Sequence, residues 1–185
     1  MISEAAGRLV DIGVPIDASD FELFQVASQF VQDRAVLDTR WKQLQTQVHP
    51  DRFVSDGAVA QRVAMQWTLR VNEAYQRLKL PLARAVYLCE LNGQPIGAES
   101  NTAMPVDFLL QQMAWREALD EARSLGAVEA LGDAVAARQR SLLDELSIVM
   151  DERRDWPAAA LQIRALMFVT RFAEDVERRA EALGG

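Results

Sequence analysis

Apolar residues recur along most of this chain at the three- and four-residue spacing of helices, with no strand-like alternation worth assigning. The first such stretch is short. Ser19, followed three residues later by Glu22, fits a capping box in which the two side chains satisfy free N–H groups at a helix start, and the helix it opens buries Phe21 and Phe24. Gln25 to Gln32 contains neither Gly nor Pro, so the end falls to Ser28 or Asp33, and Asp33 suits the cap of the next helix. That helix carries Leu37, Trp41, Leu44 and Val48 in one narrow seam. Pro50 stops it, because proline lacks an N–H and disfavours helical backbone at the residue before it. Ser55-Asp56-Gly57 reads as a turn and cap, and the following helix repeats the seam with Ala64, Trp67, Val71, Ala74 and Leu78. Two matching seams joined by about nine irregular residues make an antiparallel hairpin with His49, Pro50 and Asp51 at its tip. Trp41 and Trp67 read as facing core residues of that hairpin.

On either side the pattern weakens. Residues 1–18, with Gly7, Gly13 and Pro15, read as a loose arm. Lys79-Leu80-Pro81 breaks the chain, and Pro81 opens a helix that runs through Arg84, Val86, Tyr87 and Leu88 to about Leu91. Residues 93–104 are polar and small and read as a linker. Pro105 then opens a helix reaching about Arg123, with Gly126 ending the connection to the next. A second long helix, from about Val128 to Glu152, carries Leu131, Val135, Leu142, Leu146 and Val149. Asp155-Trp156-Pro157 stops and restarts the chain, with Asp155 as cap. The last helix, from Ala158 to about Leu183, carries Leu161, Ala165, Phe168, Phe172 and Val176. The expected fold is all-α: an arm (1–18), a hairpin unit with short flanking helices (19–92), a linker (93–104), and an antiparallel three-helix bundle (105–185).

Half of the 185 residues are hydrophobic and a quarter are charged, enough for a real core in one large domain or two small ones. The net charge of −7 argues against general nucleic-acid binding. Cys89 is the only cysteine, so there is no intrachain disulfide and no cysteine zinc site, and it reads as a small core residue. No apolar run reaches membrane-spanning length, and Met1 to Arg8 lacks the pattern of a signal peptide. The expected setting is cytoplasmic and reducing, with no nucleic-acid or membrane partner and no cofactor.

His49 is the only histidine. Beside Asp51 it could be an oriented general base, but neighbouring loop residues rarely orient each other so, and no nucleophile stands near in sequence. One imidazole and one carboxylate are too few for a metal. On chemistry alone the tripeptide reads as a helix stop. The bundle's first helix offers something less ordinary. With Phe108 at zero and ~100° per residue, Phe108, Trp115, Leu119 and Ala122 share the core side, while Leu109, Leu110, Met113, Glu117 and Glu121 gather opposite. Apolar groups beside carboxylates on an outward face suggest a partner site, or else packing of Leu109 or Leu110 on the hairpin unit or linker.

The tripeptide and its flanks, Trp41 to Phe53, Val71 to Leu78 and Pro81 to Leu88, resemble the J domain of DnaJ-type co-chaperones. Phe108 to Glu121 and Trp156 to Phe172 resemble the C-terminal domain of the HscB family, the J-type co-chaperones of iron–sulfur cluster assembly, in its bacterial form. The resemblance covers about residues 20–183. Arg52 stands where the family usually has Lys, and Ala114 where it commonly has an acid. The resemblance implies a co-chaperone and not an enzyme. His49, Pro50, Asp51 and Arg52, with the basic residues Arg34, Arg40 and Lys42, would engage a DnaK-type, HscA-like ATPase and stimulate it. Leu109, Leu110, Met113, Glu117 and Glu121, with Phe168, would hold an IscU-like cluster scaffold. A J protein serving another client, a helical adaptor with a decayed J domain and, least favoured, a metal-dependent hydrolase are the competing readings.

Overall fold

The computed structural model describes residues 12–97 and 104–184, and every regular element among them is helical. Among these residues no helix is long and apolar enough to cross a membrane. The chain divides into two compact units, the first running through Arg84 and the second starting at Ala85.

In the first unit the capping box forms as the spacing predicts. Ser19 Oγ accepts from the Glu22 N–H at 3.2 Å, and Glu22 Oε2 accepts from the Ser19 N–H at 2.8 Å. It opens α1 (Asp20–Phe24), which buries Phe21, Leu23 and Phe24. The helix ends at Gln25, held in the left-handed region at φ 53°. Glycine usually takes that conformation, so the sequence carries no mark of the boundary. Asp33 Oδ1 caps α2 (Arg34–Val48), accepting from Ala35 and Val36 N–H groups at 2.8 and 3.4 Å. Leu37, Leu44 and Val48 are buried, as are Ala64, Trp67, Val71, Ala74 and Leu78 of α3 (Ala58–Lys79), so the hairpin closes on the two expected seams. Trp41 departs from expectation. It is only half-buried; its ring stacks on Tyr75 at 5.0 Å, and its indole N–H donates to Asn72 Oδ1 at 3.0 Å. The indole needs an acceptor when buried, and Asn72 supplies one at the seam's margin. The connection between α2 and α3 is not irregular but a 3₁₀ turn, Pro50–Asp56, ended by Gly57 at φ 92°.

The described part of the arm is not loose. Ile12 is buried, and Arg70 of α3 donates to the carbonyls of Ala18 (2.8 Å) and Ile16 (3.4 Å). The same guanidinium lies 2.6 Å from the wholly buried Asp20 carboxylate, which Arg77 also meets at 2.7 Å. Partners fifty or more residues apart make this arrangement invisible to local pattern. Residues 1–11 of the expected arm and 98–103 of the expected linker lie outside the described residues. Arg84, at the start of α4 (Pro81–Leu91), is buried and donates to the carbonyls of Phe30 (2.6 Å) and Leu78, pinning the stretch between α1 and α2.

The second unit contains α5 (Val106–Glu121), α6 (Leu125–Ser147) and α7 (Trp156–Gly184). Gly126 does not end the α5–α6 connection; it lies in the first turn of α6, which Ser124 caps by accepting from the Ala127 N–H at 3.3 Å. The α6–α7 turn begins with a π-helical turn, Ile148–Arg153, and Arg154 reverses the chain at φ 53°. Asp155 caps α7, accepting from the Ala158 N–H at 3.1 Å. Val128, Leu131, Val135, Leu142 and Leu146 of α6 are buried, as are Ile163, Leu166, Val169, Phe172 and Val176 of α7. Leu161, expected in the α7 stripe, is exposed, because it sits roughly 200° around the helix from Ile163. α5 joins through Phe108 edge-on to Phe168 (5.7 Å), Trp115 stacked on Phe172 (5.6 Å), and Arg179 donating to the Ala122 carbonyl (2.9 Å). These pairs advance together along both helices, so α5 and α7 run parallel and α6 returns between them.

The charge is unevenly shared. The first 84 residues carry ten basic and ten acidic side chains, and the rest carry ten and seventeen, so the whole net charge of −7 belongs to the second unit.

Candidate functional site

The first candidate is the hairpin tip. His49 caps the C-terminal end of α2 in extended conformation, the backbone that a following proline selects. Its Nδ1 accepts from the Asp51 backbone N–H at 3.3 Å, and Asp51 Oδ2 lies 3.6 Å from the same nitrogen. Both side chains are exposed. The imidazole nitrogen that a catalytic carboxylate would orient as a donor is here an acceptor for backbone, which argues against a general base. Among the described residues no group of three or more His, Cys, Asp or Glu side chains could hold a metal ion. The tip is a 3₁₀ turn presenting an imidazole and a carboxylate to solvent, suited to recognition.

The predicted basic residues are distributed around α2. Arg34 Nε lies 2.7 Å from Asp38 Oδ1, and the Tyr75 hydroxyl donates to the same oxygen at 2.7 Å. The Tyr75 hydrogen bond, then that of Arg34, holds the Asp38 carboxyl below its ordinary range; the bond to Asp38, followed by burial, pushes the Tyr75 phenol up. Arg34 is thus matched within its own unit. Arg40 donates to Gln43 Oε1 at 3.3 Å, and Lys42 is exposed. At ~100° per residue Arg40 and Lys42 sit about 160° apart, on opposite flanks of the seam. Arg52, in the turn, donates through Nη1 to the Thr46 carbonyl at 2.9 Å. The four cations share no single face of α2.

The second candidate is the outward face of α5. Leu109, Leu110 and Met113 are 42%, 58% and 68% exposed, and Glu117 and Glu121 are exposed beside them. The opposite face carries Phe108, Trp115 and Ala122, all buried. Val106, exposed at the start of the helix, lies on the same face as Met113 and extends the apolar face beyond the expected residues. Ala114 is exposed and offers only a methyl group. Phe168 is half-buried in an aromatic ladder, edge-on to Phe108, stacked on Phe172 at 5.9 Å, and covered by the Arg116 guanidinium at 5.7 Å. It supports the back of α5 more than it extends the outward face.

Cys89 is buried, and burial pushes its thiol up to about 11, which keeps it protonated and unreactive at neutral pH.

Comparison with known proteins fits both halves. Residues 104–177 match the model of the HSCB C-terminal oligomerisation domain. The co-chaperone HscB homologue of Burkholderia multivorans is 45% identical over 173 residues, covering 92% of this chain and 98% of that protein. The homologue of Bordetella petrii is 45% identical over 157 residues, covering 84% and 92%. Among solved structures, the chaperone HscB of Vibrio cholerae is 35% identical with a TM-score of 0.78, covering 90% of this chain and 99% of its own. Human co-chaperone protein HscB is 29% identical with a TM-score of 0.84, covering 89% and 83%. With the exposed His-Pro-Asp hairpin in the first unit and the helical bundle in the second, these likenesses show that the chain belongs to the HscB family of J-type co-chaperones.

Proposed function

We propose that this co-chaperone binds an IscU-like iron–sulfur scaffold on α5 and presents it to a DnaK-type, HscA-like chaperone whose ATPase its first unit stimulates. It performs no chemistry of its own. In this reading residues 19–92 are the J domain and residues 105–185 the scaffold-binding domain. Asp51 offers a carboxylate to a basic group on the chaperone, His49 a hydrogen bond, and Pro50 holds the turn. Arg40, Lys42 and Arg52, with Arg34 at the far end of α2, supply positive charge near an acidic chaperone surface. Leu109, Leu110 and Met113 give the scaffold an apolar contact, with Glu117 and Glu121 as its polar margin and Phe168 behind. Stimulation is a population shift: the tip binds one state of the ATPase better than another.

The observation that carries this reading is the coexistence, on one chain, of an exposed His49–Asp51 tip and an exposed apolar face on α5. Two variants test it together. His49→Gln is expected to abolish stimulation of the ATPase while scaffold binding, followed by titration calorimetry, stays intact. Leu109→Ala with Met113→Ala is expected to weaken scaffold binding tenfold or more while stimulation by the co-chaperone alone persists. Stimulation surviving in the first variant, or undiminished binding in the second, refutes the corresponding half.

A further inference from the structure

The last carbonyls of a helix have no partner within it, and at the end of α2 two of them are met by side chains that follow the tripeptide, one from the turn and one from α3. Arg52 donates to the Thr46 carbonyl at 2.9 Å from two residues beyond Pro50. Thr68, on α3, donates to the Val48 carbonyl at 3.2 Å, sharing its single proton with the Ala64 carbonyl at 2.9 Å in its own helix. Val48 is wholly buried and immediately precedes His49, so its carbonyl sets where the tip leaves the hairpin. Within the turn, the Arg52 N–H donates to the His49 carbonyl at 3.0 Å and His49 Nδ1 accepts from the Asp51 N–H. The backbone before the tripeptide and the backbone after it are thereby tied to the same helix end.

We infer that Arg52 and Thr68 are positioning residues for the His49-Pro50-Asp51 tip. They close the end of α2 so that imidazole and carboxylate are held in one arrangement before the chaperone arrives. The inference rests on the proposed role of the tip in stimulation and deepens it, because it gives Arg52 a task inside the molecule besides its charge. A recognition element fixed before binding loses less freedom on binding, which is how residues making no contact with the partner can govern the result. The arrangement also assigns Thr68 a role for which the helical pattern of α3 gives no sign, since it lies at the margin of that helix's buried seam.

The test uses the full chain. Thr68→Val keeps the shape and removes the donor, Thr68→Ser keeps the donor, and Arg52→Met and Arg52→Lys treat the other contact in the same way. Amide hydrogen exchange of residues 51–56 is read without any partner; stimulation of a DnaK-type ATPase is then read as a function of co-chaperone concentration. Thr68→Val and Arg52→Met are expected to speed exchange across the turn by about fivefold, the effect of one hydrogen bond. Both are expected to lower maximal stimulation at saturation, with Thr68→Ser and Arg52→Lys restoring it. Unchanged exchange in both donor-less variants overturns the inference, and so does an effect confined to the half-maximal concentration, which is what loss of a charge contact alone would give. If the unsubstituted chain stimulates nothing while exchange still accelerates, the positioning stands and the proposed function of the tip falls.

Discussion

Replacing Asp20 by alanine removes a carboxylate that is wholly buried and faces two guanidiniums. Arg70 lies 2.6 Å away and keeps 18% side-chain exposure; Arg77 lies 2.7 Å away and keeps 43%. Breaking a buried ion pair from one side costs about 3–5 kcal/mol, because the remaining charge is left buried and unmatched. Arg70 still has the Ala18 and Ile16 carbonyls as acceptors, which brings its share to about 2–3 kcal/mol. Water can replace the carboxylate at Arg77, so that pair adds about 0.5 kcal/mol. The expected loss is about 3 kcal/mol, which in a unit of this size lowers the unfolding temperature by roughly 12–24 °C. The assay is urea unfolding followed by hydrogen exchange, resolved by segment so that α2 and α3 are read separately from α6 and α7. The urea midpoint of the first unit is expected to fall while that of α6 and α7 holds. Asp20→Ala combined with Arg70→Met is expected to cost less than the two single changes added, since the orphaned cation goes with its partner. A loss below about 1 kcal/mol in the single variant, or an equal loss in both units, would refute the account of α1 and residues 12–19 as tied to α3 through Asp20.

Asp38→Asn is expected to lower the pKa of the Tyr75 phenol, whose upward shift owes most to its bond with Asp38; phenolate absorbance in a Tyr87→Phe background checks it. Because Asp38 is depressed in the folded chain, its contribution is present above its unfolded pKa and fades as pH falls through the lower folded value, so Tyr75→Phe is expected to make acid unfolding less steep below about pH 4. Phe108→Ala is expected to destabilise the second unit by about 3–5 kcal/mol, whereas Met113→Ala, on the opposite side of α5, stays within about 0.5 kcal/mol; segment-resolved urea unfolding separates them. Cys89 is expected to resist thiol reagents in the folded chain, with roughly a thousandth present as thiolate at pH 8, and to react at the ordinary rate once urea unfolds the second unit.

Much of the fold was legible because its signals are local. Ser19 and Glu22 stand three apart and close a capping box, Asp33 and Asp155 cap the helices that follow them, and Pro50 ends α2. The two faces of α5 follow from the angular period alone, with Trp115 inside and Met113 outside. What could not be read depended on distant or atypical partners. Gln25 takes a conformation expected of glycine, Ser124 rather than Gly126 marks the start of α6, and the tightening of residues 50–56 into a 3₁₀ turn has no period to announce it. The two ends of the candidate tip differ in the same way. His49-Pro50-Asp51 is a contiguous motif, but the contacts closing α2 come from a side chain beyond the motif and another on α3.

The uneven sharing of charge between the units means that encounters with each unit respond differently to salt. The second unit carries the entire net charge of −7, so a cationic partner is drawn towards it from beyond contact distance. The first unit is neutral as a whole and attracts a charged partner only through individual side chains, within the ~8 Å over which physiological salt leaves a field unscreened. Raising ionic strength therefore slows the approach of a cationic partner to the second unit more than to the first. Ionic strength becomes a dial on which unit a charged partner reaches first, without a single substitution.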